Sequence, residues 1–329
     1  MNIAPLRAGT RRAVTAAVSW DLAGVGLPIL IIAVGLAVLE PGFLSAFNIN
    51  SVLATVAITT VIGLAQLMAL VIGQFNLAIA AQGALSAMFL GFLMQSMGIP
   101  WPIAVVGSIA AGGVLGLVQG GLIVWVRLNP FLVTLGLASV FAGVMFVTTR
   151  GKPFDRFSDQ FNEIGFQSLG SVPLLMFISL AVVIVMVVLL QRTLIGRQLL
   201  ATGANLRVAF FSAVPTDRTV LTAHVISGSL AAFAGFLTVA RLATAQTAIG
   251  EDWLLPSFAA PVLGGTLLTG GKASATGTFL GALLLALIAN ALNLLAVSPY
   301  WYQAGLGAVI LVGVMLDRVR MIYVARRAP

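Results

Sequence analysis

GRQLLATGANLRVAFFSAVPTDRT (196–219) is the stretch on which the reading of the whole chain turns. It is the longest polar-rich interruption on the side that the charges assign to the cytoplasm, and apolar sequence runs away from it in both directions. Within it Leu206, Phe210 and Ala213 fall at helical spacing, Gly203 and Asn205 can open a short helix, and Pro215 closes it. A helix of two or three turns is marginal in water by itself, so an amphipathic one of this length is expected to be ordered by docking on a surface.

The composition explains why so short a segment stands out. Aliphatic, aromatic and sulfur-bearing residues make up 60% of the 329 positions, charged residues 8%, and the mean hydropathy is +1.10. These values exclude a soluble domain and define a polytopic membrane protein. The chain has no cysteine and one histidine, His224, which excludes disulfides, thiolate chemistry and the usual zinc and triad constellations. A net charge of +8 could suggest nucleic acid, but the basic residues are scattered between apolar runs and form no patch, so no nucleic-acid partner is expected.

Stretches long enough to cross about 30 Å of hydrocarbon number about ten: 22–39, 52–73, 77–97, 101–124, 131–149, 172–190, 220–240, 254–268, 273–297 and 300–316. The second, third and eighth are the weakest. With the N-terminus inside, Lys and Arg at 7, 11, 12, 127, 192, 197, 207, 218, 272, 318, 320, 326 and 327 are cytoplasmic and only 150, 152, 156 and 241 lie outside. The expected layout is an all-α membrane protein with both termini in the cytoplasm. Residues 1–21 form a tail, 22–316 a transmembrane domain with a cytoplasmic loop at 191–219, and 317–329 a second tail.

Small residues recur every four positions at Gly112, Gly116 and Gly120, at Ser227, Ala231 and Gly235, and at Gly277 and Gly281. That spacing lets helix backbones approach closely inside a bilayer, so a tightly packed bundle is expected. GGVLGLVQGGLIVW (112–125) is weakly echoed by GTFLGALLLALIAN (277–290), and spans two to five start outside whereas spans seven to ten start inside. Two halves of inverted topology are therefore expected, with a solute path where they meet.

No span carries a carboxylate in its interior, which argues against a proton-coupled pump. Arg241 is expected to snorkel to the outer interface. The polar residues left inside are neutral, and Gln66, Asn76, Gln119, Thr134, Ser139, Asn290 and Asn293 are the candidates for a translocation path. Amides and hydroxyls suit an uncharged polyhydroxylated solute. GGTLLTGGKAS (264–274) invites a phosphate-loop reading and fails it: Thr266 stands where a glycine is needed, and Ala273 follows Lys272 where Ser or Thr is required. With no nucleotide site, cofactor or catalytic group, the chain is expected to be a transport subunit and not an enzyme.

GRQLLATGANLRVAFFSAV (196–214), ARLATAQ (240–246), LGGTLLTGGKASATGTFLGALLLALIANALNLL (263–295) and RLNPFLVTLGLASVFAGV (127–144) together resemble the permease subunits of ribose-type ATP-binding-cassette (ABC) sugar importers, from about Asn48 to Leu316. The resemblance implies a second permease subunit, two cytoplasmic ATPase subunits and an extracytoplasmic solute-binding protein in a bacterial inner membrane. It also implies that Asn205–Ser212 is the ATPase coupling helix, bringing Gly203, Asn205, Leu206, Arg207, Ala209, Phe210, Phe211, Ser212 and Pro215 to the contact. Where the family commonly reads GGIDLSVG this chain has GQFNLAIA (73–80), and where it reads ELDAIAAVVLGG this chain has LLPSFAAPVLGG (254–265). RVAFFSAVP and Pro256 look closer to the autoinducer-2 and rhamnose branch. A stand-alone facilitator, or an ABC permease for nucleosides or branched-chain amino acids, remains open at this stage.

Overall fold

A computed structural model describes residues 25–296 together with 301, 304, 305, 307 and 308. Helices α1 (Val25–Leu39), α2 (Ala46–Leu70), α3 (Ile79–Gln95), α4 (Trp101–Val124) and α5 (Pro130–Thr149) come first. A short α6 (Asp159–Phe166) and a two-stranded hairpin, β1 (Ser168–Leu169) with β2 (Val172–Pro173), follow. Then come α7 (Leu174–Arg192), α8 (Leu194–Ala204), α9 (Leu206–Phe211), α10 (Thr216–Leu242), α11 (Leu254–Leu263) and α12 (Ala275–Leu294).

Among the described residues six helices, α2, α4, α5, α7, α10 and α12, are long and apolar enough to cross a membrane, which makes this a multi-pass membrane protein. Their ends follow local chemistry. Asn129 caps α5 by accepting from Phe131 N at 2.9 Å with Pro130 at the first helical position, and Ser274 caps α12 by accepting from Gly277 N at 3.0 Å.

The expected third and eighth spans fall short. α3 has 17 residues and α11 has 10, and each is preceded by non-helical backbone, at 71–78 and 243–253, partly buried against neighbouring helices. Irregular backbone at membrane depth is tolerated where protein surrounds it. The second expected span, by contrast, is a continuous 25-residue helix and the most buried in the bundle. The tenth, 300–316, lies almost wholly outside the described residues, as do both tails.

The core is an antiparallel pair, α2 and α10. Arg241 at the end of α10 reaches Thr55 near the start of α2, and His224 near the start of α10 reaches Gln74 just past the end of α2. Around α10, α3 runs parallel and α4 antiparallel: a Cβ at Gly235 would stand 2.6 Å from Gly83 O, and one at Gly116 would collide with His224 O. Around α2, α11 runs parallel and α12 antiparallel, with Ala260 and Thr278 closing on Gly63. The four-residue small repeats thus do what their spacing predicts, bringing backbones into direct contact.

The two ends of the bundle differ in charge. Among the described residues one holds Arg127, Arg192, Arg197, Arg207, Arg218 and Lys272 with the single acid Asp217; the other holds the six acids Glu40, Asp155, Asp159, Glu163, Glu251 and Asp252 against four bases, Arg150, Lys152, Arg156 and Arg241. They are called the basic and acidic ends below. At the acidic end α6 seals the bundle by burying Phe161 completely among Trp101, Phe157 and Phe236.

Candidate functional site

At the basic end α9 projects from the bundle. Asn205 ends α8 and begins α9: its backbone is extended, and its Oδ1 accepts from Val208 N at 3.1 Å, an N-cap that starts a new helix in a new direction. Leu206, Val208, Phe210 and Phe211 are all well exposed, Phe211 at 85%, and only Ala209 is buried. Four large apolar side chains thus stand together on the surface of a polar end, the kind of patch that marks interaction sites. The expected boundaries need correcting in three places. Gly203 does not open this helix; it lies in the last turn of α8, an 11-residue helix within the expected loop. Ala213 is outside α9, in the left-handed conformation (φ 59°). Pro215 caps the start of α10, because Ser212 and Ala213 have already ended α9.

Just inside the basic end lies a chain of buried amides and an imidazole. Asn76 Nδ2 donates to Gln82 Oε1 (3.1 Å) and Ser227 Oγ (3.0 Å), and Gln82 Nε2 donates to Gln119 Oε1 (3.0 Å). Gln119 Nε2 lies 2.8 Å from His224 Nδ1, and His224 Nε2 lies 2.8 Å from Gln74 Oε1. Since the Gln74 oxygen can only accept, His224 carries its proton on Nε2 and accepts from Gln119 at Nδ1. Every donor in the chain therefore points the same way. Gln66 completes it by pairing its amide with the backbone N–H and C=O of Asn76 (3.2 and 2.9 Å). Three of the seven expected path residues, Gln66, Asn76 and Gln119, are thus brought together, fully buried and occupied with one another and with His224. Their contact ties the irregular segment 71–78 to α3, α4 and α10.

Thr134 is also buried and donates to Phe75 O (3.3 Å) and Phe131 O (3.2 Å), joining α5 to the same segment. Ser139 stands apart, exposed on α5. Asn290 and Asn293 lie at the acidic end, where they line a cleft of about 300 Å³ with Ser51, Thr55 and Asp252. Asn290 donates to Asn48 Oδ1 at 2.6 Å.

That cleft adjoins a second, of about 340 Å³, which shares Thr55 and Asp252 and adds Thr59, Thr238, Arg241, Gln246 and Trp253. Arg241 does not snorkel outward. Its guanidinium turns across the cleft, NH1 donating to Thr55 Oγ1 (2.9 Å) and NH2 to Ser51 O (3.3 Å), because the start of α2 offers oxygens where α10 ends. The residues that sequence reading missed are those of the irregular segment 243–253, which folds back into the bundle. The Pro256 and Gly250 interruptions were the available signal. Hydroxyls, amides, one carboxylate, one guanidinium and an indole around an open volume are groups able to hydrogen-bond a polar solute, with a ring beside them.

Broken helices packed around one antiparallel pair, with a polar cleft at one end and a bare apolar helix at the other, define a multi-pass permease. The chain belongs to the family of branched-chain amino acid transport system / permease components, matched over residues 48–315. It is similar to the D-allose transport system permease of Escherichia coli K12, 31% identical over 92% of this chain and 93% of the relative. It is also similar to the ribose import permease of Bacillus subtilis 168, 34% identical over 89% and 91%, and to the L-arabinose ABC transporter permease of Azospirillum brasilense, 29% identical over 92% and 89%. No solved structure matches the chain.

Proposed function

We propose that this chain is the transmembrane permease subunit of an ATP-binding-cassette importer that moves a sugar or sugar-like neutral solute into the cytoplasm. The relatives named above, permeases for allose, ribose and arabinose, support the substrate class. The observation that carries the mechanism is α9, a capped helix with four exposed apolar side chains in a chain whose sequence holds no phosphate loop. Energy has to enter from another polypeptide, and α9 is the surface that fits an ATPase groove.

In this reading the basic end is cytoplasmic, as the excess of Lys and Arg there supports, and the acidic-end cleft faces the outside of a bacterial inner membrane. α2, α3 and α4 form one half and α10, α11 and α12 its inverted counterpart. The parallel and antiparallel packing around α10 matches that around α2, and each half has one shortened helix preceded by irregular backbone. Two such permeases, identical or homologous, work with two ATPase subunits and a solute-binding protein. The RVAFFSAVP segment and Pro256 favour the autoinducer-2 and rhamnose branch within the family. ATP-driven closure of the ATPases pushes on α9 and rocks one half against the other.

The test is to replace Arg207 and Phe210 with alanine and measure copurification of the ATPase subunits and uptake by the whole complex. Loss of both with the permease still folded is expected. Copurification and uptake at normal rates would sink the coupling role, and ATP-independent flux through liposomes containing this chain alone would indicate a facilitator instead.

A further inference from the structure

Directly behind α9, three segments distant in sequence meet through backbone alone. Gly271 N donates to Val71 O at 3.0 Å, joining the 264–274 loop to the turn after α2. The last turn of α8 closes on both: a Cβ at Gly203 would run into Val71 O and stand 2.6 Å from Gly271 N. A Cβ at Gly271 would stand 2.7 Å from Ala204 Cα, and one at Gly270 2.6 Å from Gly73 N. Gly73, Gly270 and Gly271 also have positive φ, of 73°, 87° and 79°, so the junction is shaped by residues that no side chain can replace without strain.

The position of this junction gives it meaning. Ala204 immediately precedes Asn205, the cap of α9. On the far side, Gly73 precedes Gln74, which receives His224, and Asn76, which anchors the buried amide chain. Through Gly270 and Gly271 the same contact meets the loop between α11 and α12, whose Thr266 accepts from Ser274 N at 3.4 Å where α12 begins. The GG of GGTLLTGGKAS, which fails as a phosphate loop, is used here as a packing surface. Backbone against backbone leaves no side-chain rotamer to absorb a displacement, and close-packed contacts of this kind transmit strain.

We infer that Gly73, Gly203, Gly270 and Gly271 are the positioning residues of a transmission joint. The joint carries movement of α9 into both irregular segments, 71–78 ahead of α3 and 264–274 ahead of α12. The inference rests on the coupling role proposed for α9 and adds where the push goes next.

This chain has no cysteine of its own, so an introduced thiol is the one that alkylation can reach on it, and a complex without the substitution, treated in the same way, controls for thiols on its partners. The complex is assembled with Ala204→Cys, a small change at an exposed position, and then alkylated with N-ethylmaleimide to drive a wedge between α8 and the 264–274 loop after folding is complete. Gly271→Ala probes the other side of the joint, from the 264–274 loop, and leaves every residue of α9 unchanged. For each, ATPase retention is measured alongside hydrogen exchange of 71–78 and 264–274 with and without ADP–vanadate. Unmodified complex is expected to change exchange in both segments on trapping. Both perturbed forms should keep the ATPase while that change shrinks about fivefold or more, the scale of a typical coupling energy. Gly143→Ala, where a Cβ meets open space, should respond as the unmodified complex does. Retained ATPase with an unaltered exchange response in either perturbed form overturns the joint, and so does release of the ATPase by both, which would make the glycines part of the docking surface. If the unmodified permease never binds an ATPase, it is the coupling role of α9 that has failed, and the joint falls with it.

Discussion

The same two helices, α2 and α10, are tied at both ends of the bundle by opposite means. At the basic end the tie is dense: a directed chain of amides through His224 with every member bonded, backed by glycine contacts that leave no free space. At the acidic end a single guanidinium spans the gap between them, and the volume around it is open and polar. Stiffness thus lies where force is proposed to enter, and openness where a solute would. A buried polar network confers rigidity only when fully satisfied, and a binding cleft works only if its groups still have capacity to bond. The two ends meet these incompatible requirements by separating them along the helix pair.

The contrast can be broken most severely outside the bundle. Replacing Phe210 with Ala and Phe211 with Asp removes both aromatic side chains of the apolar face of α9 and should abolish uptake by the full complex while leaving the permease's thermal transition where it was, because both side chains are exposed. A matching drop in that transition, read by tryptophan fluorescence, would mean that α9 supports the fold. Next in size, Gln119→Leu strands Gln82 Nε2 and His224 Nδ1 inside the bundle. Each orphaned group costs about 1–3 kcal/mol, so unfolding in detergent should shift by about 2–6 kcal/mol; a shift below about 0.5 kcal/mol would show that the dense end is not held by this chain.

Smaller effects are expected at the open end. Arg241→Gln keeps a polar amide but loses the charge, the reach and the fork across to Thr55 and Ser51, and should lower uptake about fivefold with little change in ATPase binding. An equal loss of ATPase binding would sharpen the comparison in the other direction, by making Arg241 part of the force-bearing frame. The least effect is assigned to Asn293→Ala. Single polar contacts inside membrane bundles average about 0.6 kcal/mol, so a change in apparent KM of up to about threefold is expected, and none in stability, since Asn293 is exposed to the cleft.

Much of the bundle was legible in the residues because burial in a membrane is written along each helix. The expected span at 101–124 coincides with α4, and the glycine repeats pointed to the contacts they make. Asn205 was legible as a cap because an Asx side chain and the apolar run behind it are neighbours in sequence. Gly203 and Pro215 were misread for the same reason: both stand beside α9 in sequence, yet one packs inside α8 and the other caps α10. The expected eighth span began where α11 begins but ran to 268, because the GGTLL that follows Leu263 is apolar enough to pass for span, and α3 fills only 79–95 of the expected 77–97.

The chain by itself determined that it lives in a membrane, which end carries the positive charge, that it resembles a permease family, and that one short amphipathic helix interrupts the apolar runs. Hydropathy, charge and capping are properties of residues and their near neighbours, so they can be read in order. Only the tertiary structure decided that Gln119 meets His224 105 positions away, that Arg241 turns inward to Thr55, and that three glycine-bearing segments lock behind α9. Those are pairwise facts about groups brought together by packing, and no property of a residue on its own names the group that will face it.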